Sequence, residues 1–371
     1  MSTKVNPAAK IDEVIRAFHF PGELELKEEF GNGHINSTFI LRLAEADGKI
    51  SEYILQRINH EVFKDPYGVM DNVVLVTRFL RKKLREEGKD PERGTIHYLH
   101  TDAGKPCYKD SVGSYWRCYR FIDDAISYES VENPQQFYQS AVAFGHFQQQ
   151  LSDFPADQLK ETIPNFHNTP VRFETFKKAV AEDVCGRAAS VQKEIQFFLD
   201  REEFAHTLTD LQEKGEIPLR VTHNDTKLNN ILFDKTTGDA MCVIDLDTVM
   251  PGLSVNDFGD SIRFGASTGA EDEPDLTKVN FDLNLYELYT KGYLEGCQGS
   301  LTETERKMLP VGAKMMTLEC GMRFLTDYLQ GDTYFRIHRE GHNLDRCRTH
   351  IKLVSDMEAV WEQMEAIAMK Y

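Results

Sequence analysis

The stretch from Leu219 to Asp247, LRVTHNDTKLNNILFDKTTGDAMCVIDLD, decides how the chain is read. Two apolar runs, Ile231–Phe233 and Met241–Ile244, flank a Thr-Thr-Gly-Asp turn, which is the pattern of a β-hairpin. With the turn centred on Thr237-Gly238, facing residues have numbers that add to about 475, so Phe233 faces Cys242 and Asn230 faces Asp245. Facing Cα atoms lie roughly 4.5–5.5 Å apart, so this register brings Asn230 and Asp245 out side by side at the open end. An amide oxygen and a carboxylate are hard donors of the kind magnesium prefers. They are the expected metal ligands.

Five residues before Asn230, in His223-Asn-Asp-Thr-Lys-Leu-Asn-Asn230, stands Asp225. On that loop a carboxylate can accept a proton from an incoming hydroxyl while the metal holds a terminal phosphate. H-x-D-x-x-x-x-N followed by a strand, a turn and Val-Ile-Asp is a phosphotransfer constellation. A second stretch, Asn256-Asp-Phe-Gly-Asp260, carries the Asp-Phe-Gly letters that mark the metal aspartate of protein kinases. Asp257 lies 32 residues beyond Asp225 and outside the hairpin, whereas Asp245 lies 20 beyond and on it. The literal triplet is therefore expected to be a decoy. Asp257 is expected to cap a helix starting near Phe258 or to accept backbone N–H groups from the catalytic loop. Asp247 is read as an exposed loop aspartate, with a place in the metal site as the alternative. Lys227, two residues after the base, is read either as a cation that helps neutralise the transferred group or as a solvated lysine.

Outward from this hairpin the chain changes character. Before it, LELKEEFGNGHINSTFILRL, EYILQRI and SYWRCYRFID read as strands, with a helix over about 71–87. After about residue 122 helical periodicity dominates, over 171–214, 280–296, 303–330 and 348–370, and Asn133 with Pro134 predicts a helix start. The stripe Ile351, Val354, Met357, Trp361 and Met364 reads as core. The expected fold is α+β, a protein-kinase-like two-lobed fold with a small strand-rich lobe over 1–121 and a larger helical lobe over 122–371.

The 371 residues can bury a substantial core. A formal net charge of -17 speaks against nucleic acid or an anionic membrane as partner. Seven cysteines without a CxxC spacing suit reduced thiols in a cytoplasmic protein. The N-terminal residues lack the apolar core of a signal peptide, and no run is long enough to span a membrane.

The catalytic stretch, together with GHINSTF, YILQ, DFGDSIRFGAS and ECGMRFLTDYLQGDTYF, resembles the aminoglycoside phosphotransferase/choline kinase superfamily. Within it the chain looks most like the bacterial N-acetylhexosamine 1-kinases, over nearly its whole length. The resemblance implies ATP and Mg2+, and an N-acetylhexosamine phosphorylated at its anomeric hydroxyl. It makes Asp225 the base and Asn230 and Asp245 the magnesium ligands. It places Arg323 and Tyr334 at the sugar, beside His34 and Asn36 of the GNGHIN segment. Gly31 and Gly33 would let backbone approach phosphate, and Tyr119, Phe121 and Ile122 would form the adenine hinge.

One departure stands out. Gln56 holds the position of the strand-three lysine, and the following helix lacks a central acid. Both members of the usual Lys–Glu pair are missing, which leaves the metal and Lys227 to carry more of the phosphate charge. Read without the family, Arg323 is expected to pair with Glu319 or Asp327 at helical spacing.

Three other readings stay open. The chain could be a binding module without turnover, as the missing pair would suit. It could be a kinase of choline, homoserine or an aminoglycoside, the last drawn in by the acidic GAEDEPDL loop after Ala270. The order Asp257-Phe-Gly-Asp-Ser261 resembles the phosphate loop of actin-like sugar kinases, but it falls past mid-chain. No G-x-x-x-x-G-K-[ST] loop is present.

Overall fold

A computed structural model describes residues 8–30, 37–131 and 133–371. The glycine segment 31–36, with the expected ligands Gly31, Gly33, His34 and Asn36, lies outside the described residues. The chain divides into two compact units, one formed by Met1–Ala125, Gln158–Ile163 and Ile244–Val249, the other by Ile126–Asp157, Pro164–Val243 and Met250–Tyr371.

In the first unit, α1 (Ala8–Ile15) precedes an antiparallel sheet of β1 (Gly22–Glu29), β2 (Ser37–Glu45), β3 (Ile50–Ile58), β4 (Tyr108–Lys109) and β5 (Tyr115–Arg120), in the order β1-β2-β3-β5-β4. Alternation along the strands sets the faces. Phe39, Leu41, Leu43, Leu55, Trp116 and Cys118 point to one side and close a core with Ile11 and Val14 of α1. The residues between them, Gln56 and Arg117 among others, point to the other. The long helix α2 (Pro66–Glu86) starts five residues earlier than 71, because Asp65 caps it by accepting the Gly68 N–H and Pro66 takes its first turn. Asn72, buried on α2, reaches both later segments of the unit. Its Nδ2 donates to the Lys160 carbonyl at 2.8 Å and the Val249 carbonyl at 3.0 Å, and its Oδ1 accepts from the Lys160 N–H.

After the short α3 (Pro91–Gly94) and β6 (Ala125–Ile126), the second unit is helical: α4 (Pro134–Gln150), α5 (Thr169–Glu182), α6 (Gln192–Leu199), α7 (Glu202–Ala205), α8 (Thr207–Glu213), α9 (Ser254–Gly265), α10 (Leu283–Cys297), α11 (Glu303–Lys307), α12 (Leu309–Leu329), α13 (His342–Ala359) and α14 (Trp361–Lys370). Its strands are β7 (Arg220–Thr222) paired with β10 (Met250–Gly252), and the hairpin β8 (Ile231–Asp234) and β9 (Ala240–Val243). The helical pattern over 171–214 is broken because Asp183 and Gly186 take left-handed backbone, which ends α5. Asn133 caps α4 in a reciprocal capping box with Gln136, as Asn133-Pro134 predicts. Val354, Met357 and Met364 of the C-terminal stripe are fully buried. Among the described residues no helix is long and apolar enough to cross a membrane.

Close approach replaces side-chain bulk where α9 crosses α12. A Cβ on Gly259 would lie 2.2 Å from the Gly312 carbonyl oxygen, and one on Gly312 would lie 2.1 Å from the Val255 carbonyl oxygen. Glycine at both positions sets the depth at which α9 sits, and α9 carries the two aspartates, Asp257 and Asp260, that hold the loop after β7.

Candidate active site

The loop from His223 to Asn230 follows β7, and the backbone turns sharply at Asn224, which has φ 64°. Asparagine tolerates that left-handed region better than most residues, and such strain persists only where surrounding bonds over-determine it. Here they do. Asp257, 2 % exposed, accepts the His223 N–H through Oδ2 at 2.8 Å, the Asn224 N–H through Oδ1 at 2.8 Å, and the Gln148 amide at 3.0 Å. Asp260 accepts the Thr226 N–H at 2.9 Å, and the Ser261 hydroxyl donates to the Thr226 carbonyl at 2.7 Å. Of the two expectations for Asp257, the second describes it. The helix begins at Ser254, so Asp257 lies inside it and is not its cap. Burial pushes its carboxyl above the ordinary range, against the pull of His223 and the two backbone donors.

Held this way, the loop presents Asp225 partly exposed. Its Oδ1 lies 3.1 Å from Lys227 Nζ and its Oδ2 accepts from Asn230 Nδ2 at 3.1 Å. Burial works against the Lys227 charge, but Asp225 and Asp260 outweigh it and hold the ammonium above its ordinary pKa. Lys227 is therefore a fixed cation beside Asp225. Asn230 also donates Nδ2 to the Asp225 backbone carbonyl at 2.7 Å. With the amide nitrogen engaged twice, its Oδ1 is the atom it can offer a cation. That donor chemistry fits magnesium, as does a carboxylate such as that of Asp245.

The hairpin register differs from the expected one. Ile231 pairs with Val243 and Leu232 with Cys242, so facing numbers add to 474, and Phe233 then faces Ala240 across a bulge. The extra residue, Met241, shifts the ladder by one, and Phe233 does not face Cys242. The turn closes from Asp234, whose carbonyl accepts the Gly238 N–H and whose carboxylate accepts the Thr236 and Thr237 N–H groups. The ladder ends at Ile231↔Val243. Asn230 is the next residue on one side, and Asp245 comes two residues after Val243 on the other. Asp245 has φ 58°, a left-handed non-glycine residue like Asn224, and starts the short 3-10 turn Leu246–Thr248.

Asp247 is not an exposed loop residue. It is 3 % exposed and ion-paired with Arg117. Arg117, 2 % exposed, sits opposite Gln56 across the β3–β5 ladder, and Gln56 Oε1 accepts from both its Nε at 2.8 Å and its Nη2 at 2.6 Å. Gln56 Nε2 donates to Thr38 Oγ1 at 3.1 Å. The side chain at the strand-three lysine position is thus engaged on both sides within the sheet. The signal for Arg117 was present in YWRCYR, where alternation turns it away from Trp116 and Cys118, but its partner lies 130 residues on. At the expected hinge, the Phe121 N–H donates to the Glu52 carbonyl at 3.0 Å, Tyr119 bridges to Tyr98, and Ile122 is buried.

Arg323 does not form the helical ion pair expected of it. Asp327 is turned to the following loop, where it accepts the N–H groups of Thr333, Tyr334 and Phe335. Glu319, fully buried, accepts from Thr169 at 2.6 Å and bonds His167 at 2.9 Å. The Arg323 guanidinium instead lies 5.5–5.9 Å from the ring centres of Phe166, Tyr334 and Phe335. Arg172 stands close by, its pKa lowered by burial and then by Arg323. Tyr334 is 68 % exposed. Sequence reasoning missed Arg172, Phe166 and His167. His167 links this cluster to the catalytic loop through a contact of 3.4 Å with the Asn224 carbonyl.

The acidic loop after Ala270 is largely neutralised. Glu271 pairs with Arg263 at 2.8 Å, Asp272 with Arg339 at 2.8 Å and His342 at 2.9 Å, and Glu273 lies 3.6 Å from Lys278. It offers no funnel of uncompensated acids.

Residues 28–291 match the model of a phosphotransferase enzyme family. The chain belongs to that family. It is a phosphotransferase by family, and its fold is protein-kinase-like. Among solved structures it is similar to an aminoglycoside phosphotransferase from Alicyclobacillus acidocaldarius, at 11 % identity and a TM-score of 0.60, over 100 % of this chain and 98 % of that one. It is also similar to amicoumacin kinase hAmiN, solved with AMP-PNP and Ca2+, at 13 % identity and a TM-score of 0.55, over 98 % and 94 %. A third is choline kinase from Cryptosporidium parvum, at 14 % identity and a TM-score of 0.52, over 94 % and 93 %.

Proposed function

We propose that this phosphotransferase moves the γ-phosphoryl group of ATP to the anomeric hydroxyl of an N-acetylhexosamine. The strand-rich N-terminal part would serve the nucleotide and the helical part the acceptor. Asp225 accepts the proton of the attacking O1 hydroxyl. That hydroxyl is more acidic than other sugar hydroxyls, so a carboxylate need only orient it and take its proton late. Lys227 neutralises charge beside it. Asn230 and Asp245 are the residues that would hold magnesium, which when bound supplies charge neutralisation on the phosphates.

The observation that carries the acceptor is the Arg323 cluster. A choline kinase needs aromatic faces free to receive a quaternary ammonium. The faces of Phe166, Tyr334 and Phe335 already surround a guanidinium. Arg172 adds a second positive charge, and the acids after Ala270 are paired, so a polycationic aminoglycoside meets repulsion. A neutral, hydroxyl-rich acceptor with an amide carbonyl suits two arginines and a tyrosine.

The test is a coupled ADP assay across N-acetylhexosamines, hexoses, choline and an aminoglycoside. Turnover with N-acetylhexosamines at least a hundredfold above the cationic acceptors is expected. Faster turnover with choline or an aminoglycoside would overturn the acceptor, and absence of turnover with every acceptor would favour a binding module. Asp225→Asn should lower kcat by about 10²–10⁴ with little change in sugar KM.

A further inference from the structure

The strand-three lysine and helix glutamate that other kinase folds use as an ion pair are both absent, yet the first unit contains a buried ion pair of its own. Arg117 occupies the strand beside Gln56, on the same face of the sheet, with its Nη1 against Met70 of α2 at 4.0 Å. Hydrogen bonds run from Thr38 on β2 through Gln56 on β3 to Arg117 on β5, and from there to Asp247. The chain of bonds ends in the segment Ile244–Val249. That segment belongs to the first unit although the strands on either side of it belong to the second.

The segment is held at two points. Asp247 is fixed by Arg117, and the Val249 carbonyl is fixed by Asn72 of α2. Asp245 lies two residues before the first of these points and carries the strained left-handed backbone. A non-glycine residue keeps such a conformation only while its neighbourhood enforces it. Asp247 is two residues away, so the Arg117–Asp247 pair fixes the chain on the C-terminal side of Asp245.

We propose that the Arg117–Asp247 ion pair replaces the missing lysine–glutamate pair, and that Arg117 is a positioning residue that aims Asp245 at the metal. The inference rests on the reading of Asp245 as a magnesium ligand. It gives the cation lost from strand three a new place, one strand over. The pair's acid also moves from the helix to the metal segment itself. Arg117 acts through backbone geometry and touches no phosphate.

The test uses the full chain and ADP, so it needs no acceptor. ADP binding is measured by calorimetry with and without Mg2+ for wild type, Arg117→Lys, Arg117→Met and the double variant Arg117→Met/Asp247→Leu, together with thermal midpoints. Arg117→Met removes the cation paired with the buried Asp247 carboxylate, and can fail to fold for that reason. The double variant removes both charges and is expected to regain the wild-type midpoint. In it, the tightening of ADP binding by Mg2+ should shrink at least tenfold, about 1.4 kcal/mol, while ADP affinity without Mg2+ stays within twofold. Arg117→Lys should recover part of the tightening. A double variant with the full Mg2+ effect would overturn the positioning role and leave the pair purely structural. A wild type whose ADP binding ignores Mg2+ would overturn the reading of Asp245 as a ligand, and the proposal with it.

Discussion

Replacing Asp257 with asparagine separates the two meanings that its Asp-Phe-Gly setting allows. The carboxylate accepts three buried donors, the N–H groups of His223 and Asn224 and the amide of Gln148. Asparagine keeps one oxygen and turns an NH2 group toward donors. With Oδ1 kept on the Asn224 N–H, the His223 N–H and the Gln148 amide lose their acceptor. Each unsatisfied buried donor costs about 1–3 kcal/mol, so Asp257→Asn should cost about 2–6 kcal/mol, a large share of a typical total of about 5–15 kcal/mol. The loop it anchors carries Asp225, and a small displacement there should lower kcat by roughly 10–100-fold. Urea unfolding reads the first effect and steady-state turnover the second. The Mg2+ concentration for half-maximal rate should stay within twofold, because Asp257 lies under the loop and not at the metal. A variant with wild-type stability and a tenfold higher Mg2+ requirement would make Asp257 the metal ligand and refute the reasoning.

Two further outcomes follow from packing and charge. His350 is buried against Arg263, and burial first, then that cation, lower its pKa from 6.5 to about 4. A histidine kept neutral when folded stabilises above its unfolded pKa, so stability should fall by about 3 kcal/mol as pH drops from about 6.5 to 4. His350→Leu should flatten that part of the curve in denaturant titrations, and an unchanged slope would remove His350 as its source. Gly259→Ala gains about 1 kcal/mol of helix propensity, but its Cβ would lie 2.2 Å from a backbone oxygen of α12. Overpacking of that kind costs about 1–3 kcal/mol or more, so net destabilisation is expected by thermal melting, and a stabilised variant would show that α9 and α12 can separate without penalty.

What the sequence determined by itself was local. The loop over 223–230, its hairpin, the Asn133 cap and the buried C-terminal stripe follow from residue types at short spacing, because turn chemistry, capping and periodicity act within a few residues. That Asp257 falls outside the hairpin was also legible, since a hairpin's length limits where its far end can lie. The register error began at the turn, which closes between Asp234 and Asp239 and so is centred one residue earlier than Thr237-Gly238. The bulge at Met241, which leaves little trace in composition, took back half of the shift. The tertiary structure alone decided partners far apart in the chain. Arg117 meets Asp247 across 130 residues, and Asp327 turns to the backbone of 333–335 and so leaves Arg323 to three aromatic rings. A buried charge must find a counter-charge or a polar cradle, and which one it finds is settled by folding and not by the residues beside it.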